Sequence, residues 1–280
     1  MQSVSAFQAF LAKNSIPVPN YHVVLGSGYG TAIDSFPWER LGELSFKDLP
    51  GFPASTVMDH AGCYRFYRKN GKVLSFQMGR LHGYEGHDPS VAILPVMVPR
   101  LAGVGNFLLT NAAGGLLLSM SPGDVMVIRD HVNLTGMNPL IGANPRGLDA
   151  KELGPRFPDL AKLYDREWRN RLYRFLQKEA LGVHEGVYLG LLGPSFETPA
   201  EVQLFASWGL HAVGMSTVWE AIALSHSGAR VAGLSLISNL GSGLGSGALD
   251  HETILETCRA SAAKIVNAIR LSIEEELFAK

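Results

Sequence analysis

Cysteine is scarce in this sequence. Only Cys63 and Cys258 occur, far apart and in no metal-ligand spacing. That excludes a disulfide framework and a cysteine-built zinc site, and predicts two ordinary buried thiols in a reducing cytoplasm. An excess of one charge is also lacking: 24 Lys and Arg stand against 25 Asp and Glu, for a net charge of -1. No basic surplus points to nucleic acid and no acidic run to a disordered tail. Long apolar runs are missing too. "VAILPVMV", Val91–Val98, is too short to cross a bilayer and contains Pro95. The opening "MQSVSAFQAFLAKNS" has neither the basic start nor the apolar core of a signal peptide. Its Val4, Phe7, Phe10 and Leu11 recur at helical spacing and predict an amphipathic first helix. A small, weakly charged substrate or a protein partner is the ligand class that remains.

What is present is a chain of 280 residues, 46% hydrophobic, enough to bury a large core. Short apolar runs predict strands near Val23–Leu25, Val73–Met78, Phe107–Thr110, Val125–Ile128, Val187–Leu191, Ala212–Gly214 and Val231–Ile237. Helical patterns cover Pro89–Ala102, Asp159–Glu179, Pro199–Trp208, Val218–Ser227 and His251 to near the end. The alternation predicts one α/β domain over 1–280, with a mixed, mostly parallel central sheet flanked by helices. The least regular stretch, His131–Phe157, is too rich in Gly, Pro and Asn for a long helix. A loop of that length is a functional or interface element, or a solvated excursion.

In α/β sheets ligands gather beyond the carboxyl ends of strands, so the residues there are the candidates. "GSGYG", Gly26–Gly30, offers bare backbone N–H groups and the Ser27 hydroxyl to an anion, or is simply a tight turn. Thr31 stands where a dinucleotide fingerprint needs its third glycine, and no Gly-Lys-Ser/Thr of a P-loop follows. In "GRLHGYEGHDP", Arg80, His82 and Tyr84 alternate, so on an extended segment they share one side. A guanidinium beside an imidazole makes a phosphate grip, and Asp88–Pro89 then starts a helix. His82 and His87 lack a third partner for a metal. "NAAGG", Asn111–Gly115, leaves the main chain open to an anion or a flat ring, or is a crowded turn. Thr217 and Glu220 have the spacing of a capping box, with Met215 and Ser216 at that helix mouth. Asn239 is the first side chain expected beyond the last apolar strand, and Asp250 is placed to cap the final helix with His251 in its first turn.

The stretch "GLLGPSFETPAEVQ", Gly190–Gln203, carries two glutamates. Thr198, Pro199 and Glu201 form a capping box with a first-turn proline, which commits Glu201 to the backbone. Glu197 is not needed for the helix, and the helix dipole is expected to hold it ionised. Beside Phe196 it is either solvated at a loop tip or suited to a ligand with an aromatic face and N–H donors on its edge, such as a purine.

Together these segments resemble the trimeric, low-molecular-mass purine nucleoside phosphorylases. "GSGYG", "HAG" (His60–Gly62), "GRLHGYEG", "TNAAGG", "GDVMVIRDHVNLTG", "GPSFETPAE", "AVGMSTVWE" and "SLISN" follow that family's order and spacing over nearly the whole chain. The resemblance implies phosphorolysis, with phosphate attacking the anomeric carbon of a purine nucleoside to give free base and ribose 1-phosphate, without metal or organic cofactor. It implies a phosphate site of Ser27, His60, Arg80, His82, the Ala112 N–H and Ser216. It implies a purine site of Phe196, Glu197 and Asn239, with Asn239, Glu197 and His82 central to catalysis. Tyr84, Met215 and His251 would contact the ribose, and Phe157 would enter a neighbouring subunit's sugar pocket in a homotrimer. Glu197 and Asn239 imply 6-oxopurines (inosine, guanosine and their 2′-deoxy forms). A methylthioadenosine-, xanthosine- or hydrolysis-directed member of the superfamily, and a non-catalytic nucleoside-binding relative, are the alternatives. Gly83, Trp219 and Leu240 depart from the mammalian pattern and place the chain nearer bacterial members.

Overall fold

A computed structural model describes residues 1–26, 28–53, 61–244 and 251–279, excluding the side chains of 251–255 and 260. Among these, nine strands form one sheet: β1 (Tyr21–Leu25), β2 (Glu39–Ser45), β3 (Cys63–Lys69), β4 (Lys72–Met78), β5 (Asn106–Gly115), β6 (Val125–Asn133), β7 (Val183–Gly190), β8 (Ala212–Gly214) and β9 (Arg230–Leu240). Seven α-helices cover it: α1 (Gln2–Lys13), α2 (Pro89–Ala92), α3 (Leu94–Leu101), α4 (Arg166–Gln177), α5 (Pro199–Ser207), α6 (Val218–His226) and α7 (His251–Phe278).

The strand order is β2-β3-β4-β1-β5-β8-β7-β6-β9, and β9 also pairs with β5. The second half of the sheet therefore closes on itself as a small ring, which removes two edges that would otherwise need cover. β1 lies in parallel between β4 and β5 and is buried along its whole length, as its apolar sequence YHVVL demands. Five pairings are parallel and four antiparallel. Val4, Phe7 and Leu11 of α1 pack with Tyr64, Phe66 and Val98 in one of the apolar clusters.

The structure corrects several sequence expectations. β2 and β3 were not expected, because their alternation is masked by charge. Glu39–Arg68 and Glu43–Arg65 ion pairs ladder this edge hairpin, and a bulge between Arg40 and Gly42 breaks its period. The helix expected over Pro89–Ala102 divides into α2 and α3. Pro95 and Pro99 supply no N–H, and the Pro95 carbonyl accepts from the Tyr64 hydroxyl at 2.7 Å. The helix expected from Asp159 begins only after Asp165, whose carboxylate caps the Trp168 N–H at 2.7 Å. "NAAGG" is not a loop but the end of β5, and Asn239 lies within β9. No helix among the described residues is long and apolar enough to cross a membrane.

Candidate active site

β5 runs antiparallel to β8, with Gly114 opposite Val213, so the chain leaving β8 passes back over Ala113 and Ala112. The ends of β4 and β9 arrive at the same point. Between them lies a cavity of about 220 Å³ lined by Arg80, His82, Tyr84, Ala112, Phe196, Glu197, Met215, Ser216 and Asn239. Nine residues expected from separate motifs thus share one space. Phe157 does not line it and is 88% exposed. Ser27 and His60 lie outside the described residues, as do Asp250 and the side chain of His251.

Arg80 is buried at one end of the cavity. Its guanidinium donates to the Thr110 carbonyl at 2.8 Å and spans both Glu220 oxygens at 3.2 and 3.1 Å. This overturns the expected capping box, since Glu220 serves Arg80 and not the α6 N-terminus, and Thr217 makes no capping hydrogen bond. A bidentate carboxylate fixes the plane of the guanidinium before any ligand arrives. His82 faces Glu85 through Nδ1 at 3.1 Å, and the same Glu85 oxygen accepts the His82 N–H at 2.9 Å. The imidazole stacks on Tyr84 with centroids 4.6 Å apart. Burial, with a smaller push from Arg80, lowers the His82 pKa, while Glu85 pulls it up. Donation from Nδ1 to Glu85 makes Nε2 the accepting nitrogen of a neutral ring. Burial also lifts the Tyr84 phenol to about 12.

The two glutamates divide as their spacing predicted. Glu201 accepts the Thr198 N–H at 2.7 Å and its own N–H donates to Thr198 Oγ1 at 3.2 Å, completing the capping box of α5. Glu197 is only 8% exposed and lines the cavity, so it is not a solvated loop residue. Its pKa is raised, first by burial and further by the Glu201 charge, against the opposing effect of its own N–H. Desolvation thus works against the expected hold of the helix dipole on the ionised form and raises the pKa on balance. Gly193, with φ +71, precedes the cis Pro194, and a β-carbon there would lie 2.3 Å from Met215 Sδ. Glycine is what lets the Pro194–Glu197 segment close over Met215. Across the cavity, Asn239 Oδ1 accepts from Ser238 Oγ at 2.7 Å and its Nδ2 donates to the Leu240 carbonyl at 2.9 Å.

Sequence reasoning passed over Ser238, Pro194 and Gly214, which also line the cavity, and it misassigned Glu220. The signal for Glu220 was there: a lone carboxylate in the apolar run VWEAIAL asks for a buried cation. Among the described residues no three His, Cys, Asp or Glu side chains cluster as a metal site requires.

Comparison with known proteins places this geometry. The family model of the phosphorylase superfamily matches residues 28–274. Purine nucleoside phosphorylase 1 of Bacillus subtilis is 38% identical over 264 residues, covering 93% of this chain and 95% of that protein. Crystal structures of the purine nucleoside phosphorylase of Schistosoma mansoni with adenosine, and of a schistosoma purine nucleoside phosphorylase with hypoxanthine, each superimpose with a TM-score of 0.86 at 31% identity, over 98% of this chain and 97% of theirs. The chain belongs to the phosphorylase superfamily, and within it to the purine nucleoside phosphorylases.

Proposed function

We propose that this one-domain enzyme prefers 6-oxopurine nucleosides, and that phosphate bound by Arg80, His82, the Ala112 N–H and Ser216 is its nucleophile. The observation that carries the reading is the placement of Glu197 and Asn239 in one cavity with Arg80, His82 and Ser216. The phosphate oxygen attacks C1′ of the (deoxy)ribose, the bond from C1′ to purine N9 breaks, and its electron pair enters the base. The sugar passes through an oxocarbenium-like state. Arg80, the Ala112 N–H and the Ser216 hydroxyl hold the phosphate charge beneath it, neutral His82 accepts the phosphate's own O–H at Nε2, and Asn239 rotates from its neighbours to hydrogen-bond O6 and N7 as N7 takes up a proton from water. Glu197 accepts from N1–H. Each such group, aimed at charge that develops only in the transition state, is worth about 10²–10³ in rate. Phe196, 45% exposed at the cavity mouth, offers its face to the purine, with Tyr84 and Met215 against the sugar.

The same reading takes the enzyme as a cofactor-free cytoplasmic homotrimer, with Phe157 entering a neighbouring subunit's sugar pocket, His251 contacting the ribose, and Ser27 and His60 completing the phosphate site. Supporting it are the match to relatives over most of the chain and the convergence of their characteristic motifs on one cavity. An enzyme of this fold holds adenosine in a crystal, so the test is turnover and not occupancy. Base release from inosine, guanosine, xanthosine and adenosine is followed with and without phosphate. Phosphate-dependent release from inosine and guanosine, with sugar 1-phosphate formed in equal amount, is expected. Release from inosine that is indifferent to phosphate would sink the reading.

A further inference from the structure

Asn111, on β5, and Thr217, just before α6, are 1% and 2% exposed, and neither lines the active-site cavity. They are nevertheless joined to it. Asn111 Nδ2 donates to Thr217 Oγ1 at 2.9 Å, and Thr217 Oγ1 lies 3.1 Å from Ser216 Oγ. Ser216 does line the cavity, beside Arg80 and His82.

Thr217 occupies the N-cap position of α6 but does not cap it. It sits at φ +73°, ψ −47°, a backbone conformation that a β-branched residue rarely adopts. Such outliers persist where the surrounding structure over-determines them, and they cluster at functional sites. Here the hydroxyl is given to the Asn111–Ser216 line instead of the helix.

The direction of that line follows from what each group can do. An amide nitrogen only donates, and a hydroxyl has a single proton. Among the described residues Ser216 Oγ is the one acceptor within reach of the buried Thr217 hydroxyl, whose oxygen takes the Asn111 N–H, so the Thr217 proton is assigned to Ser216 Oγ. Ser216 accepts from Thr217, and its own proton is turned into the cavity. Phosphate oxygens need donors, and a serine presenting lone pairs would repel them. Another polar group nearby is the Tyr188 phenol. Contact with Ser216 tempers its burial-driven rise to a pKa of about 12, yet its oxygen meets no partner in good hydrogen-bond geometry among the described residues, so Tyr188 is the competitor for the Ser216 proton that the test must separate.

We infer that Asn111 and Thr217 are positioning residues that fix the Ser216 hydroxyl as a donor to the phosphate. This rests on the reading of Ser216 as a phosphate contact.

Steady-state kinetics separate the two claims. Asn111→Asp replaces the donor with an acceptor and reverses the line, while Thr217→Val keeps the β-branched shape and cuts it. Each is expected to raise KM for phosphate by about tenfold, the scale of one hydrogen bond to a charged group, with KM for nucleoside little changed. Thr217→Ser is expected to stay near wild type. In a Ser216→Ala background neither change should raise KM for phosphate further. Tyr188→Phe should leave it unaltered. If Ser216→Ala raises KM for phosphate but Asn111→Asp and Thr217→Val do not, the relay is wrong. Effects that add on the Ser216→Ala background, or a Tyr188→Phe variant that behaves like Asn111→Asp, would overturn it as well. An unchanged KM for phosphate in Ser216→Ala would remove the phosphate assignment beneath it. Should Asn111→Asp fail to fold, Thr217→Val with its Thr217→Ser control carries the test alone.

Discussion

Gly83 and Trp219 are a matched pair. A β-carbon on residue 83 would lie 2.5 Å from Trp219 Cη2 and 2.7 Å from Leu192 Cδ1. The Trp219 ring, 8% exposed and anchored by its Nε1–H on Thr135 Oγ1 at 2.9 Å, fills the space under the segment that carries His82 and Tyr84. Two positions 136 residues apart in sequence thus share one volume. Trp219→Ala should cost about 3–5 kcal/mol and Gly83→Ala about 1–3 kcal/mol in urea unfolding. The double variant should cost at least ~1 kcal/mol less than their sum, because the smaller ring position admits the methyl. Additive costs would show that the two do not share that space.

The glutamates of Gly190–Gln203 should separate by assay. Thr198→Ala is expected to lose about 1 kcal/mol of stability with KM for nucleoside unchanged. Glu201→Ala should behave in the same direction, since its carboxylate is bound to the Thr198 backbone. Glu197→Ala should lose about 2–4 kcal/mol of transition-state binding with inosine, read from kcat/KM. If Glu197→Ala and Glu201→Ala merely lower the unfolding midpoint alike, the division of labour is wrong.

The raised pKa of Glu197 has two opposite consequences. Its folded pKa lies above the unfolded 4.5, so its contribution to stability is fully present below 4.5 and is lost as pH rises through the folded value. Glu197→Gln should therefore make the ligand-free protein more stable than wild type, relative to their difference at pH 4, once the pH exceeds that value. Catalysis runs the other way. Accepting a purine N1–H needs the carboxylate, so kcat/KM for inosine should fall on the acid side through a pKa above 4.5. A Glu197→Gln variant without the relative gain in stability, or a wild-type profile with no acid limb above 4.5, would contradict this.

The sequence carried much of the site because its residues sit on short segments at strand ends, where spacing dictates direction. Arg80, His82 and Tyr84 alternate and do face one cavity. The Thr198 box fixed the role of Glu201 by local geometry alone. What sequence could not give was long-range pairing. Arg80 and Glu220 are 140 residues apart, so local spacing made Glu220 look like a cap. Thr217 had the right chemistry for a cap, but an unusual φ turned it elsewhere. Desolvation of Glu197 likewise depends on what covers it, and its neighbours in sequence suggest only the helix dipole. The β2–β3 hairpin was hidden because its exposed ion pairs replace the apolar alternation by which strands are read.

The central claim is that Glu197 and Asn239 read the edge of a 6-oxopurine. Adenosine has no N1–H for Glu197 and no O6 for Asn239, and a site built on such hydrogen bonds rejects a ligand that leaves them unmade. The measurement that bears on this most directly is the ratio of kcat/KM for inosine to that for adenosine, at saturating phosphate and neutral pH. The ratio should be about 10⁴, the scale reached when such a site leaves its own polar groups unpaired. A ratio near one, with adenosine cleaved as fast as inosine, would contradict the account.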